Sequence, residues 1–171
     1  WCIIHLVNGQ GDAQFVAGAH RDPTRDLLVR ALGEYDAKRL PFGQRAAWSG
    51  VLTVTDAELE RLVVADDQRK LFRALAPSMV IQTPMYARDR VVGVITFGLS
   101  RGSGRSYQSD DLRNAEELAS RAALAVDNAR LHRDVEGAEH RSRLLFEGNP
   151  QPMWIFDVET LEFLAVNDAA L

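Results

Sequence analysis

The sequence predicts an α+β fold in which a mostly antiparallel β-sheet packs against helices. Residues 1–19 and 78–99 each carry two β-rich apolar runs separated by a short polar link, the pattern of a β-hairpin. Apolar residues at helical spacing mark the segments between the hairpins and a long segment from residue 109 to about residue 146. Hairpins interrupted and followed by helices, without regular strand–helix alternation, indicate the α+β class.

Composition limits the classes of function. The chain has 171 residues, 46% hydrophobic and 26% charged, a balance typical of a folded globular protein. A net charge of -4 argues against a nucleic-acid partner, and the single cysteine, Cys2, excludes an internal disulfide. No apolar run approaches the roughly 20 residues of a membrane-spanning helix, and the first residues do not resemble a signal peptide. We therefore expect a cytoplasmic protein without membrane contact, and a piece of a longer chain.

The first hairpin is predicted from residues 1–7 and 14–19, because the Asn/Gly/Asp cluster between them tolerates a tight reversal. A helix over residues 23–37 follows, with Pro23 suited to its first turn. Three further elements come next: a break over residues 40–43, a short helix over residues 44–48 and a strand over residues 51–55.

Two helical segments lead to the second hairpin. Asp56 is predicted to cap the first, and Pro77 closes the second, which begins at Asp66. The apolar face of the first segment is formed by Leu59, Leu62 and Val63.

The second hairpin pairs residues 78–86 with residues 91–99 around a predicted four-residue link. Pro84 has no amide hydrogen to donate, so its strand is predicted to be an edge there or to carry a bulge. Gly93 and Gly98 leave room above the sheet for another element or a ligand.

The long helix is predicted to begin with Ser109 as its N-cap and to end before residues 148–152. At about 100° per residue, its apolar residues form two opposed faces. The first face is rich in alanine and suits close contact with a sheet: Ala115, Ala119, Ala122, Val126 and Ala129. The second face repeats with spacings of four and three: Leu124, Asn128, Leu131, Val135, Ala138, Ser142 and Leu145.

That second face has the heptad pattern of two helices packed side by side, which predicts a homodimer through the long helix. Asn128 supports this interpretation, since a polar residue within such a seam fixes its register. Alternatively, the row packs on a neighbouring domain of the same chain. Strand-like runs at residues 153–158 and 161–166 indicate the start of a second domain.

Two segments of the first domain and two of the second resemble known sensory modules. Residues 78–85 (SMVIQTPM) with residues 88–94 (RDRVVGV) resemble the central hairpin of GAF domains, and residues 111–131 resemble the exit helix of GAF domains in bacterial signalling proteins. Residues 149–157 (NPQPMWIFD) and 163–170 (FLAVNDAA) resemble the start of a PAS domain.

The GAF resemblance covers residues 1–135 and implies a sheet of about six strands with helices on both faces and a small-molecule pocket on one. It also implies that the helix preceding the first strand is missing. Residues 109–147 would form the exit helix and linker, and residues 148–171 the truncated start of a PAS domain. Such tandem modules resemble the input half of bacterial sensor histidine kinases, PPM-type phosphatases or diguanylate cyclases, so the expected partner is a downstream PAS and output domain.

The expected pocket lies beneath residues 41–76. Its candidate lining residues are His20, Trp48, Phe72, Met79, Ile81, Thr83, Ile95 and Phe97. The alternative is that at least half of these residues simply form the core, because apolar residues of this kind are core in any sheet-plus-helix domain. The sequence does not reveal which strand face meets the pocket.

No catalytic constellation is found, so the fragment is not expected to be an enzyme. The cysteines that bilin-binding or methionine sulfoxide reductase GAF domains use have no counterpart here, and no metal site or identified cofactor is expected. The leading hypothesis is a sensory module that relays ligand binding, or the state of a neighbouring domain, through a helix pair. The alternatives are a ligand-free dimerisation spacer and a haem or redox sensor that uses His20 or Cys2.

Overall fold

A computed structural model describes residues 1–8, 10–39, 48–58 and 65–171. The chain divides into two units, Trp1–Asp127 and Asn128–Leu171. Three predicted features lie outside the described residues: the break at residues 40–43, the helix at residues 44–48 apart from Trp48, and the apolar face of Leu59, Leu62 and Val63.

The first unit contains a five-stranded antiparallel sheet in the order β2-β1-β5-β4-β3. Its strands are β1 (Cys2–Val7), β2 (Ala13–Ala19), β3 (Gly50–Thr53), β4 (Pro77–Ala87) and β5 (Arg90–Ser100). The predicted α+β class and mostly antiparallel sheet are confirmed, although the described residues form five strands of this sheet against about six expected.

The β4–β5 hairpin turns through two residues, not the predicted four. Arg88 and Asp89 both have positive φ, 49° and 62°, the signature of a type I′ turn whose twist matches that of the paired strands. Pairing of β3 with β4 reaches only to Gln82, so Pro84 lies where β4 has no described neighbour on that side, as predicted.

One face of the sheet is covered by α3 (Ser109–Glu147). Its buried alanines, Ala115, Ala119 and Ala123, recur every four residues, and the latter two pack in a cluster with β4 and β5 side chains. Ala122 and Val126 of the predicted face are half-buried and pack against the same cluster, whereas Ala129 is exposed and departs from the prediction.

The N-cap of α3 also differs from the prediction. The backbone amide of Gln108 donates to Asp111 Oδ2 at 2.8 Å, so Gln108 precedes the helix and Ser109 is its first residue.

The opposite face is covered by α1 (Asp26–Arg39), which a 3₁₀ turn at Pro23–Arg25 precedes, and by α2 (Asp66–Leu75). Ile3, Val29, Leu32 and Leu75 form the buried cluster on this side. Ahead of α2, the Glu58 amide donates to Thr55 Oγ1 at 3.1 Å, so Thr55 caps that turn instead of the predicted Asp56.

The second unit contains residues 128–147 of α3, a hairpin of β6 (Trp154–Phe156) and β7 (Phe163–Val166), and a 3₁₀ turn at Asp168–Ala170. Its hairpin carries large exposed apolar side chains on both strands: Trp154, Ile155, Phe156, Phe163 and Leu164. Within the described residues of the whole chain, no helix has the length and apolarity needed to cross a membrane.

Asn167 is the polar centre of this second unit and is fully buried. Its Nδ2 lies within hydrogen-bonding distance of three carbonyl oxygens, those of Phe146 (3.1 Å), Asn149 (3.2 Å) and Gln151 (2.9 Å). Its Oδ1 accepts from the Met153 amide at 2.9 Å. One amide side chain therefore joins the end of α3, the linker and the start of β6.

Candidate functional site

A cavity of about 310 Å³ lies between the sheet and the helices α1 and α2. Four strands and both helices contribute to its wall. The lining residues are Trp1, Ile3, His5, Leu32, Asp36, Trp48, Leu52, Val54, Phe72, Val80, Gln82 and Thr96.

The strand register explains which residues reach the cavity. Side chains alternate between the two faces of a strand, and paired residues on neighbouring strands share a face. Ile3 pairs with Thr96, Thr96 with Gln82, and Leu52 with Val80. These cross-strand pairs form a continuous floor beneath α1 and α2.

Two tryptophans in the cavity wall occupy space that glycines leave open. A Cβ on Gly98 would lie 2.1 Å from Trp1 Cε2, and a Cβ on Gly50 would lie 2.8 Å from Trp48 Cζ2. Gly98 was predicted to admit another element or a ligand, and the Trp1 indole lies there. The other predicted gap, at Gly93, is closed by Met85 and by the backbone oxygen of His5.

The polar lining includes a buried histidine. His5 is 2% exposed, and its Nε2 lies 2.8 Å from the backbone oxygen of Gly33. Burial lowers the pKa of His5, although the bond to Gly33 acts in the opposite direction. The imidazole is therefore neutral near pH 7, and Nε2 carries the hydrogen that it donates to Gly33.

A second polar contact fixes one helix against the other beside the cavity. Gln68 of α2 is 2% exposed and donates from Nε2 to Asp36 Oδ1 of α1 at 2.9 Å. Because Asp36 also lines the cavity, this bond holds a carboxylate at the wall.

The structure brings together only part of the predicted pocket. Of the candidate residues, Trp48 and Phe72 line this cavity. On the strands, the residues between the candidate ones face this cavity instead: Val80 and Gln82 on β4, and Thr96 on β5. The displaced residues are Met79, Ile81, Thr83, Ile95 and Phe97, of which Ile95 and Phe97 belong to the cluster that contains Ala119 and Ala123 of α3.

His20 also lies outside the cavity lining. It follows β2, where its Nδ1 accepts from the Asp22 amide at 2.9 Å and its own amide donates to Asp26 Oδ1 at 2.6 Å. The structure therefore does not bring His20 together with Trp48 and Phe72. The sequence analysis did not select His5. Its position two residues after Ile3 in β1 places both side chains on the same face of the strand, and this alternation was the available signal.

The predicted dimer seam is exposed in the single chain. Leu124 and Leu145 are 60% and 74% exposed, and the remaining members are exposed as well. These members are Asn128, Leu131, Val135, Ala138 and Ser142. An exposed apolar row of this length favours burial against a partner. That the partner is a second copy of this chain stays a prediction.

Comparison with known proteins agrees with this architecture. The profile of the GAF domain family matches residues 1–128. No curated protein matches the sequence.

Several solved structures share the fold at low sequence identity. A domain of a putative two-component sensor histidine kinase from Sinorhizobium meliloti 1021 has a TM-score of 0.55 and 15% identity, covering 79% of this chain and 83% of that chain. A GAF domain/HD domain protein from Geobacter sulfurreducens has a TM-score of 0.54 and 20% identity, covering 77% and 82%. GAF3 from Slr1393 of Synechocystis sp. PCC6803, in its photoproduct state, has a TM-score of 0.51 and 17% identity, covering 78% and 85%.

Proposed function

This chain belongs to the GAF domain family, and we propose that its first unit is a non-catalytic sensory module whose cavity binds a small molecule. The observation that carries the proposal is the cavity of about 310 Å³ between the sheet and the helices α1 and α2. Ligand cavities in proteins span about 300–1,000 Å³ and combine apolar walls with a few polar groups that orient the ligand. This cavity fits the lower end of that range.

The lining indicates the chemistry of the ligand. Trp1, Trp48 and Phe72 offer flat apolar surface, which favours a planar, mainly apolar molecule. Gln82 and Thr96 lie on the strand floor of the same cavity and can recognise polar atoms at the edge of such a molecule. The proposed ligand is therefore a small heteroaromatic compound with few hydrogen-bonding atoms.

Thermal unfolding in the presence of a panel of nucleobases, cyclic nucleotides and aromatic metabolites tests this proposal. A ligand at 100 times its dissociation constant adds about 2.7 kcal/mol to the free energy of unfolding, a shift that is readily measured. Trp48→Ala should abolish the shift because it removes one aromatic wall. The matched control is Trp154→Ala, which removes an exposed tryptophan of the second unit.

Two outcomes would contradict ligand binding in this cavity: no panel member shifts the transition, or Trp48→Ala responds as the wild type does. The first outcome, found together with an intact dimer, would favour a ligand-free spacer.

The proposed module acts as a homodimer through α3. The exposed heptad row supplies the apolar surface for two parallel helices, and Asn128 would fix their register. Leu131→Asp should give monomers in sedimentation velocity, since it places a charge in the seam. Leu144→Asp is the matched control, because Leu144 is 60% exposed but lies outside the heptad row. Unchanged association of Leu131→Asp would remove the seam from the proposal.

Residues 148–171 are proposed to open a PAS domain, and the helix pair to relay the state of the cavity to it and to an output domain of a bacterial signalling protein. The exposed apolar side chains of the β6–β7 hairpin support this assignment, since a two-stranded hairpin is marginally stable by itself. Hydrogen exchange on the natural protein tests it. Protection of the Trp154–Phe156 amides is expected, and rapid exchange there would contradict it.

A further inference from the structure

The segment ahead of β3 reaches both faces of the sheet with consecutive side chains. Trp48 lines the cavity on the face of α1 and α2. Ser49, the next residue, donates from its hydroxyl to Glu116 Oε1 of α3 at 2.7 Å. The two residues directly precede β3, and these contacts place their side chains on opposite sides of the sheet edge.

The Trp48 indole packs against one glycine at the cavity wall. It lies over Gly50, where a Cβ would approach Cζ2 to 2.8 Å, and the residue is 43% exposed. A side chain that packs on a glycine and stays partly open to solvent can be displaced without rearranging the core. The indole is therefore free to respond to a molecule that enters the cavity.

We propose that the Ser49–Glu116 hydrogen bond couples the cavity to α3. A molecule that displaces the Trp48 indole moves the backbone at residues 48 and 49, which lengthens or breaks the bond to Glu116. The coupling rests on the proposed sensory function and names the contact that transmits it. By linkage, the arrangement of α3 alters the affinity of the cavity by the same factor.

The strength of this contact suits a switch. Ser49 and Glu116 are both exposed, so water replaces either partner when the bond opens. Such a bond contributes little net stability and can be broken and remade without unfolding the domain. A hollow around it, lined by Thr83, Pro84, Tyr86 and Ser120 as well, gives the two side chains room to separate.

The test replaces an unidentified ligand with a side chain that fills the cavity. Val80→Phe enlarges a residue of the cavity floor and should displace the Trp48 indole. Fluorine NMR of 5-fluorotryptophan-labelled protein reports on Trp48, with its signal assigned by Trp48→Phe. Hydrogen exchange of the α3 amides around Glu116 reports on the helix. Should Val80→Phe not fold by circular dichroism, Thr96→Leu fills the same floor.

We expect Val80→Phe to shift the Trp48 signal and to raise exchange around Glu116 by about threefold or more, a change of the size of one hydrogen bond. In a Ser49→Ala or Glu116→Ala background, the Trp48 signal should still shift, but the exchange response should disappear. Glu116→Gln keeps an acceptor oxygen and should retain the response. Glu117→Ala, on the same helix, is the matched control because Glu117 pairs with Arg121 instead.

The coupling is overturned if Val80→Phe moves Trp48 without any response in α3, or if Ser49→Ala leaves that response intact. A Trp48 signal that does not move in the filled cavity overturns it too, since displacement of the indole is the first step. None of these results depends on a ligand. A failed compound panel and a failed coupling are therefore separate outcomes.

Discussion

Asp127 Oδ2 of α3 lies 2.9 Å from Arg88 Nε in the turn between β4 and β5. Arg90, on the other side of the same turn, places Nη2 3.6 Å from the second oxygen of that carboxylate. Asp127 is 6% exposed and continues the four-residue spacing of Ala115, Ala119 and Ala123. A buried charge thus ties the sheet to the last helical turn of the first unit.

This arrangement predicts unequal costs for removing its partners. Arg88→Ala combined with Arg90→Ala leaves the Asp127 carboxylate buried without either guanidinium, which should lower the free energy of unfolding by about 3 kcal/mol. Asp127→Ala leaves two guanidinium groups that water already reaches, so about 1 kcal/mol should be lost. Urea denaturation measures both. Arg121→Ala, which breaks an exposed pair with Glu117, should change stability by less than about 0.5 kcal/mol. Equal losses for the double arginine variant and Asp127→Ala would contradict this account.

His5 should make stability depend on pH. Burial lowers its pKa in the folded state, so the unfolded chain binds more protons as the pH falls below the ordinary histidine value of 6.5. The stabilising contribution is complete above that value and is lost as the pH falls towards the folded-state pKa. The slope for one such group is at most about 1.4 kcal/mol per pH unit.

Denaturation of the wild type and of His5→Gln between pH 5 and pH 8 measures this contribution. The free energy of unfolding should fall more steeply with acidification in the wild type. Parallel profiles for the two proteins would show that His5 has no part in the dependence.

Two alanines of α2 should respond oppositely to the same substitution. Ala76, the C-cap, has φ of 45° and donates its amide to the Phe72 oxygen at 2.7 Å, a left-handed conformation that glycine adopts more easily. Ala76→Gly should therefore stabilise the protein by up to about 1 kcal/mol. Ala74→Gly, two residues earlier and within the exposed helix, should destabilise it by about 1 kcal/mol. Thermal unfolding of both variants measures these changes in stability. A loss of stability in Ala76→Gly would contradict the assigned cap.

Asn167 should be critical for the second unit. Asn167→Asp replaces the donating amide with a carboxylate among carbonyl oxygens, including those of Phe146 and Gln151. The loss should be about 2 kcal/mol or more, because buried polar atoms lose their partners. Hydrogen exchange of the Met153 amide should rise sharply, while exchange in β4 and β5 stays unchanged. Asn114→Asp, on an exposed position of α3, serves as the control.

The elements could be predicted from the sequence because each follows from a local rule. Apolar alternation and turn residues placed both hairpins of the sheet, and the acidic pair that begins at Asp66, together with Pro77, bounded α2. The β4–β5 turn was drawn too long because Arg88 and Asp89 are not glycines. Their positive φ angles belong to the folded turn and could not be predicted from these residue types.

The cavity could be predicted only in part, for a different physical reason. Both faces of β4 and β5 are covered by helices, so both carry apolar residues. The apolar pattern therefore does not distinguish the face of Val80 from the face of Ile81. Which of them meets the cavity is decided by long-range pairing with β1 and β3. Asp127 was missed for a related reason: an acidic residue within a helix suggests solvent, whereas its burial depends on two arginines about 40 positions earlier.

The alanine line of α3 has a mechanical consequence. Methyl groups at every fourth position interlock with the sheet less than bulky side chains would, so they resist sliding between the two packed surfaces less strongly. Small displacements of α3 along its axis therefore meet little steric resistance. The axial position of α3 is therefore set by two polar contacts, the hydrogen bond of Glu116 and the salt bridge of Asp127.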